Sequence, residues 1–231
     1  MRIAMWSGPR NLSTAMMYAF GNRPDCEAWD EPFYAAYLVE SGADHPMREA
    51  CIAAQPSDPA EVVKQIARPE KPLQYLKLMT HHMLPGFPLD WARDCVNVHL
   101  IRHPARVIAS YGKKRDTITM DDIGFADVDR VFSALPGPII DSADVRDDPE
   151  GILKILCKTI GLEFDPVMLT WEAGPKPFDG AWAPHWYDAV HRSTGFAGSE
   201  GPLPEVAPEH RSLLEEALPI YDALHAQRLR P

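Results

Sequence analysis

Residues 3–17 read IAMWSGPRNLSTAMM. An apolar run of strand character ends at Trp6. Small residues, hydroxyls and a single arginine follow, and an apolar helical pattern begins within a few positions. In an open α/β sheet, ligands bind where strands end and helices begin. A helix starting there offers unpaired backbone N–H groups and the positive end of its dipole, which together attract anions. Ser13 and Thr14 add hydroxyl donors, and Arg10 adds a charged fork suited to phosphate. The simpler alternative is a capped turn that holds nothing. The strand–loop–helix setting favours a phosphate loop made of Gly8, Pro9, Arg10, Asn11, Leu12, Ser13 and Thr14.

Outward from this corner the same alternation recurs. RIAMWS precedes a helix from about Asn11 to Phe20, and CEAWDEPF precedes the helical YAAYLVE. A helix near Pro59–Ala67 leads into PLQYLKLMT. CVNVHLIR leads into PARVIASYGKK, with Pro104 suited to a first helical position. GPIIDSADV is followed by DPEGILKILCKTIG, with Asp148 as cap, Pro149 in the first turn and Gly161 at the end. This pattern predicts a three-layer α/β domain with a central, mostly parallel sheet of about five strands flanked by helices. Residues 1–231 are expected to form one domain. It includes an irregular Pro-, Gly- and Trp-rich region from Gly174 to Pro208, of the kind that often serves as a binding loop, and a final helix from about Pro208 to Arg228.

A formal net charge of −10 argues against nucleic acid and polyanionic chains as partners, but not against one small anion held by local arginines. No apolar run approaches the ~20 residues of a membrane span, and the N-terminus does not read as a signal peptide. The four cysteines are widely spaced and suggest no metal site or disulfide framework. A cytoplasmic, metal-free protein, possible homodimer included, is the expectation.

The first loop does not match a Walker A sequence. Counting from Gly8, Ser13 and Thr14 stand where the second glycine and the lysine belong. No strand ends in an obvious magnesium-binding aspartate, since the fourth ends in Arg102-His103-Pro104. Kinases and NTPases are therefore demoted.

A second corner carries more information. In VHLIRHPARVIASYGKK (residues 98–114), Arg102 closes a strand and Ser110 lies two turns into the next helix, within reach of an extended arginine. This segment resembles the sulfotransferases that use 3′-phosphoadenylyl sulfate (PAPS), in which an arginine at a strand end and a serine eight residues later bind the donor's 3′-phosphate. The first loop resembles that family's 5′-phosphate loop, with Arg10 in the basic place and Asn11-Leu12 replacing the usual Ser-Gly. The resemblance spans roughly residues 1–169. It implies a P-loop-like nucleotide-kinase architecture, PAPS as co-substrate, adenosine 3′,5′-bisphosphate (PAP) as product, no metal, and a small acceptor with a hydroxyl or amine.

For charge on the leaving side, Arg10 is the first candidate and Lys77 the second. Lys77 sits late in an apolar strand, and its alternative fate is to snorkel to solvent. Two bases are implied by the resemblance. Glu31, in WDEPF, matches an acid–Pro–aromatic stretch of several relatives; the alternative is that Asp30 and Glu31 merely cap the next helix. His81 and His82, in KLMTHHML, resemble the Lys-Thr-His stretch of others. Arg192 and Ser193 resemble a late 3′-phosphate clamp, and Trp186 and Tyr187 are expected either to stack on adenine, to line the acceptor pocket or to pack in the core. Lys113, Lys114 and Arg115 read as a solvated helix end. The alternative functions are a non-catalytic nucleotide-binding module on the same fold and, behind it, a P-loop kinase. An aminotransferase is rejected, since no pyridoxal-phosphate signature is found.

Overall fold

Successive side chains of the central strands point to opposite faces of the sheet, and both faces are buried, which decides the layering. The computed structural model describes residues 1–112 and 117–230; Lys113, Lys114 and Arg115 lie outside them. Five strands, β1 (Arg2–Ser7), β2 (Cys26–Asp30), β3 (Leu73–Met79), β4 (Val96–Ile101) and β5 (Ile139–Asp141), form one sheet in the order β2-β3-β1-β4-β5, with every pair parallel. Ile3 and Met5 of β1 point to one face with Tyr75, Val98 and Leu100. Ala4 and Trp6 point to the other with Leu76 and Leu78. Both faces are apolar, as a parallel sheet covered on both sides requires.

The first face is covered by α1 (Ser13–Gly21) through Met16, Met17 and Phe20, and by α9 (Pro149–Ile160) through Leu153 and Leu156. The opposite face is covered by α4 (Pro59–Ile66) and α7 (Phe125–Ala134), the latter contributing Val131. A third cluster joins α5 (Pro104–Tyr111), α7 and the terminal helix α12 (Arg211–His225). Short helices α2 (Tyr34–Ser41), α3 (Arg48–Ala54), α6 (Met120–Ile123), α8 (Ser142–Asp147), α10 (Ala183–Trp186) and α11 (Asp188–His191) complete the chain.

Local signals hold where they were strongest. Pro104 opens α5. The Asp148 carboxylate accepts from Gly151 N at 2.9 Å, and Gly161 ends α9 at a φ of 72°, as the cap and left-handed terminus require. The fifth strand is shorter than the run GPIIDSADV suggests, because Asp141 accepts from Ala143 N at 2.7 Å and starts α8 after three strand residues. Two strands do end in aspartate, Asp30 and Asp141, contrary to the sequence reading. Both are committed to protein partners: Asp30 to Lys77 and Tyr187, and Asp141 to Ala143 and Tyr221. No helix among the described residues is long and apolar enough to cross a membrane.

Candidate active site

Parallel strands order their carboxyl ends along one edge, and the functional side chains collect there. A cavity of about 520 Å³ opens at that edge. Pro9, Arg10, Asn11, Leu12, Ser13 and Thr14 line it from the β1–α1 corner, and Arg102 and Ser110 line it from the β4–α5 corner. Glu31, Lys77, His81 and His82 line it from the ends of β2 and β3. Ser193 lines it from the late irregular region; Gly8 and Arg192 do not border it.

The β1–α1 loop is shaped by backbone rather than by side-chain caps. Arg10 and Leu12 adopt left-handed φ angles of 64° and 73°, uncommon for side-chain-bearing residues and typical of sites where the surrounding structure enforces them. Such turns curl backbone N–H groups into anion-binding concavities. No side chain caps α1 and no acid occupies its first turn, so the positive helix end stays available to the cavity. Asn11 ties the loop down by donating to Leu100 O at 3.2 Å. Gly124, at the α6–α7 junction, has a φ of 70°, and a Cβ there would stand 3.1 Å from Pro9 Cδ, so the junction packs closely behind the loop.

The two corners are joined directly. Arg10 Nε donates to Ser110 Oγ at 3.0 Å, and Arg102 donates through a terminal nitrogen to Arg10 O at 2.6 Å. Both guanidinium groups therefore address one cavity. The late pair behaves differently. Arg192 is exposed and bound to Asp188 on its own helical turn, and Ser193 Oγ accepts from Trp171 Nε1 at 3.1 Å while donating to Val190 O at 2.7 Å.

At the other end lies a buried polar cluster. Strand register places Asp30 beside Lys77. Lys77, 1% exposed, donates to Asp30 Oδ1 at 2.9 Å, Glu31 Oε1 at 2.5 Å and the Tyr187 hydroxyl at 2.5 Å. It does not snorkel, because two carboxylates meet it in place. Tyr187 donates to Asp30 and accepts from Trp182 Nε1 at 3.0 Å. Burial opposes the Lys77 charge, but Asp30 and Glu31 outweigh it and raise its pKa. Burial pushes the Glu31 carboxyl up, Lys77 pulls it down, and Asp30 adds to the rise. Glu31 does not act as a cap: α2 has no side-chain cap at all. Its own backbone is left-handed, with a φ of 43°, and this turns the chain out of β2 at the cavity wall.

Neither histidine is exposed: His82 is stacked on aromatic rings, and His81 meets Tyr37 and His82 edge-on. The His82 ring lies 4.4 Å from Tyr34 and 4.7 Å from Tyr37, centre to centre, and its Nδ1 is 3.9 Å from Glu31 Oε2. Burial lowers His81 to about 3 and His82 well below its ordinary value, so both are neutral near pH 7. The Nδ1 atoms of both rings have no hydrogen-bond partner.

Four functional groups escaped the sequence reading, those of Arg106, Arg146, Glu200 and Tyr187. Arg102, Arg106 and Arg146 all contact the Glu200 carboxylate: Arg106 Nε at 3.1 Å, Arg146 at 2.7 Å, and Arg102 through a short ion pair. Burial works against the Glu200 charge, but the Arg102 hydrogen bond and the three guanidinium charges hold its carboxyl below the ordinary value. Arg106 precedes Ser110 by four positions, one turn away on the same helical face, and that spacing was legible. Glu200 carries no local signal. The Tyr187 hydroxyl, read only as part of an aromatic pair, is the fourth. Among the described residues no cluster suited to a metal ion occurs.

These features agree with what the chain resembles. A family model described as "Sulfotransferase domain" matches residues 1–228. A solved sulfotransferase domain from the curacin biosynthetic pathway superposes with a TM-score of 0.58 at 16% identity, covering 100% of this chain and 98% of that one. A sulfotransferase from Alicyclobacillus acidocaldarius also gives 0.58, at 13% identity with the same coverages. At such identities these two speak for the fold. Two Arabidopsis thaliana proteins, "Branched-chain-amino-acid aminotransferase-like protein 2" and "1", are each 36% identical, over 230 and 232 residues. The chain spans 41% of the length of each, so their names describe proteins of which it matches less than half. With the match running almost end to end over the five-stranded parallel sheet and both corners described above, the chain belongs to the sulfotransferase-domain family.

Proposed function

We propose that residues 1–231 form one catalytic domain that transfers a sulfuryl group from PAPS to a hydroxyl or amine of a small acceptor. The observation that carries this reading is the meeting of the uncapped α1 loop, Arg10, Arg102 and Ser110 at one end of a cavity whose other end holds Glu31 and Lys77. Two anion-binding corners suit a nucleotide phosphorylated at two positions. The N–H groups of the Pro9–Thr14 loop, with Ser13 and Thr14, would hold the 5′ side. Arg102 and Ser110 would hold the 3′-phosphate. Gly8 would shape the loop from behind, and Ser193 would contribute from the late segment. Arg192 would reach the nucleotide only after parting from Asp188.

In the transfer, the acceptor oxygen or nitrogen forms a bond to sulfur as the bond from sulfur to the bridging phosphate oxygen breaks. PAP leaves with that electron pair. Arg10 and Lys77 would stabilise the charge gathering on the leaving side. Glu31 would take the acceptor proton. It is the buried carboxylate at the cavity wall, and burial raises its affinity for a proton. His81 and His82 suit this step less well, because burial has made both weak bases; with Tyr34 and Tyr37 they would form the acceptor wall.

A thermal-shift comparison of PAP, ADP and ATP tests the donor. Saturation at 100 times Kd adds about 2.7 kcal/mol, or ~5–11 °C for a domain of this size. PAP is expected to give such a shift and ADP a smaller one, and PAPS with a small hydroxylated or amino acceptor is expected to give a sulfated product. No shift at millimolar PAP overturns the reading. Binding of PAP with no product from any acceptor would favour the non-catalytic module.

A further inference from the structure

The three arginines that converge on Glu200 come from separate elements. Arg102 directly follows β4, Arg106 lies on α5 and Arg146 on α8. They carry three formal positive charges against one carboxylate, which is itself only 4% exposed at the side chain. A phosphate monoester, which carries about −1.5 to −2 at neutral pH, would offset more of that positive charge than the single carboxylate does. Guanidinium forks bind carboxylate and phosphate oxygens in the same way.

The chain around Glu200 has no regular structure from residue 196 to residue 207. The same arginines hold it down. Arg146 donates to Ala197 O and, at 2.8 Å, to Gly198 O; Arg106 donates to Glu200 O and Gly201 O. Arg102, which fixes Arg10 O, is therefore shared between the nucleotide corner and this segment. Glu200 and Arg146 both border the cavity.

We infer that the Glu200 carboxylate sits in the seat of the nucleotide's 3′-phosphate and is displaced by it, so that Arg106 and Arg146 join Arg102 on that phosphate while the 197–201 segment lets go of the protein. This rests on the nucleotide reading above. It makes the 3′-phosphate the group that opens the segment, and nucleotides lacking it leave Glu200 in place. An internal occupant lowers apparent affinity by the fraction of molecules in which the seat is free. With a free fraction of about 0.1–10%, removing the occupant strengthens binding at least about tenfold.

Two measurements test this. Calorimetric titration of Glu200→Ala and the unaltered protein with PAP and with ADP is expected to show at least about tenfold tighter PAP binding by the variant and unchanged ADP binding. Limited proteolysis of the unaltered protein by a glutamate-specific protease needs no variant to fold: cleavage after Glu200, whose side chain is buried, is expected to be faster with saturating PAP and unchanged with ADP. PAP binding that is equal or weaker in Glu200→Ala, or cleavage after Glu200 that PAP leaves unchanged or slows, overturns the displacement and leaves the donor assignment standing. No PAP binding to either protein overturns both.

Discussion

Replacing Lys77 with methionine keeps the length of the side chain and removes its charge. Asp30 and Glu31 then share a buried pocket with no cation, and the Tyr187 hydroxyl loses the donor 2.5 Å away. Breaking a buried ion pair from one side costs about 3–5 kcal/mol, because the remaining charge is left uncompensated. At ~2–4 °C per kcal/mol for 150–250 residues, the Tm is expected to fall by ~6–20 °C. The pH dependence gives a second signature. Without the ammonium, burial and the Asp30 charge hold the folded pKa of Glu31 above its unfolded value near 4.5. The folded state then binds more protons than the unfolded state between those two values, so stability grows as pH falls through the folded pKa. The Tm deficit of Lys77→Met, read by calorimetry from pH 8 to pH 5, should be largest at pH 8 and shrink toward pH 5. Adding Asp30→Asn should recover part of it. A deficit below about 2 °C at pH 8, or one that does not change with pH, would refute the paired, buried lysine and point instead to a solvated one.

Glu31→Gln should lower kcat by roughly 10²–10⁴ in a PAPS-dependent assay while PAP affinity stays within a few-fold, since Glu31 lies at the cavity end away from the arginine corner. His81 and His82 are held neutral by burial, His81 at about 3. The unfolded chain takes up these protons first, so stability is lost as pH falls below ~6.5, by up to ~1.4 kcal/mol per pH unit for each ring; His82→Gln should flatten that slope in urea titrations from pH 7 to pH 4.5. Tyr187→Phe removes a hydroxyl bonded to Asp30, Lys77 and Trp182 and should cost ~1–3 kcal/mol, seen as a lower urea midpoint with an unchanged m-value.

Most of the architecture follows from signals that lie close together along the chain. Short apolar runs, Pro104 and Pro149 at helix starts, the Asp148 cap and Gly161 each act over a few residues, and each appears where that local physics puts it. Helix α7, not among the elements expected from sequence, is also written locally, in Phe125, Val128, Val131 and Phe132. The two β–α corners were legible for the same reason, since a strand end and a helix start are neighbours in sequence.

Only the folded chain decides which distant charges meet. Setting β3 between β1 and β2 brings Asp30 beside Lys77 across 47 positions, and the path of the late segment carries Tyr187 to that lysine and Glu200 to Arg102 across about a hundred. No residue near Glu200 encodes its partners. Three guanidinium groups on separate elements form an anion seat only because strand order gathers their strand ends at one edge. Charge fields and ion pairs depend on distance in space, and sequence separation says nothing about that distance until the sheet is built.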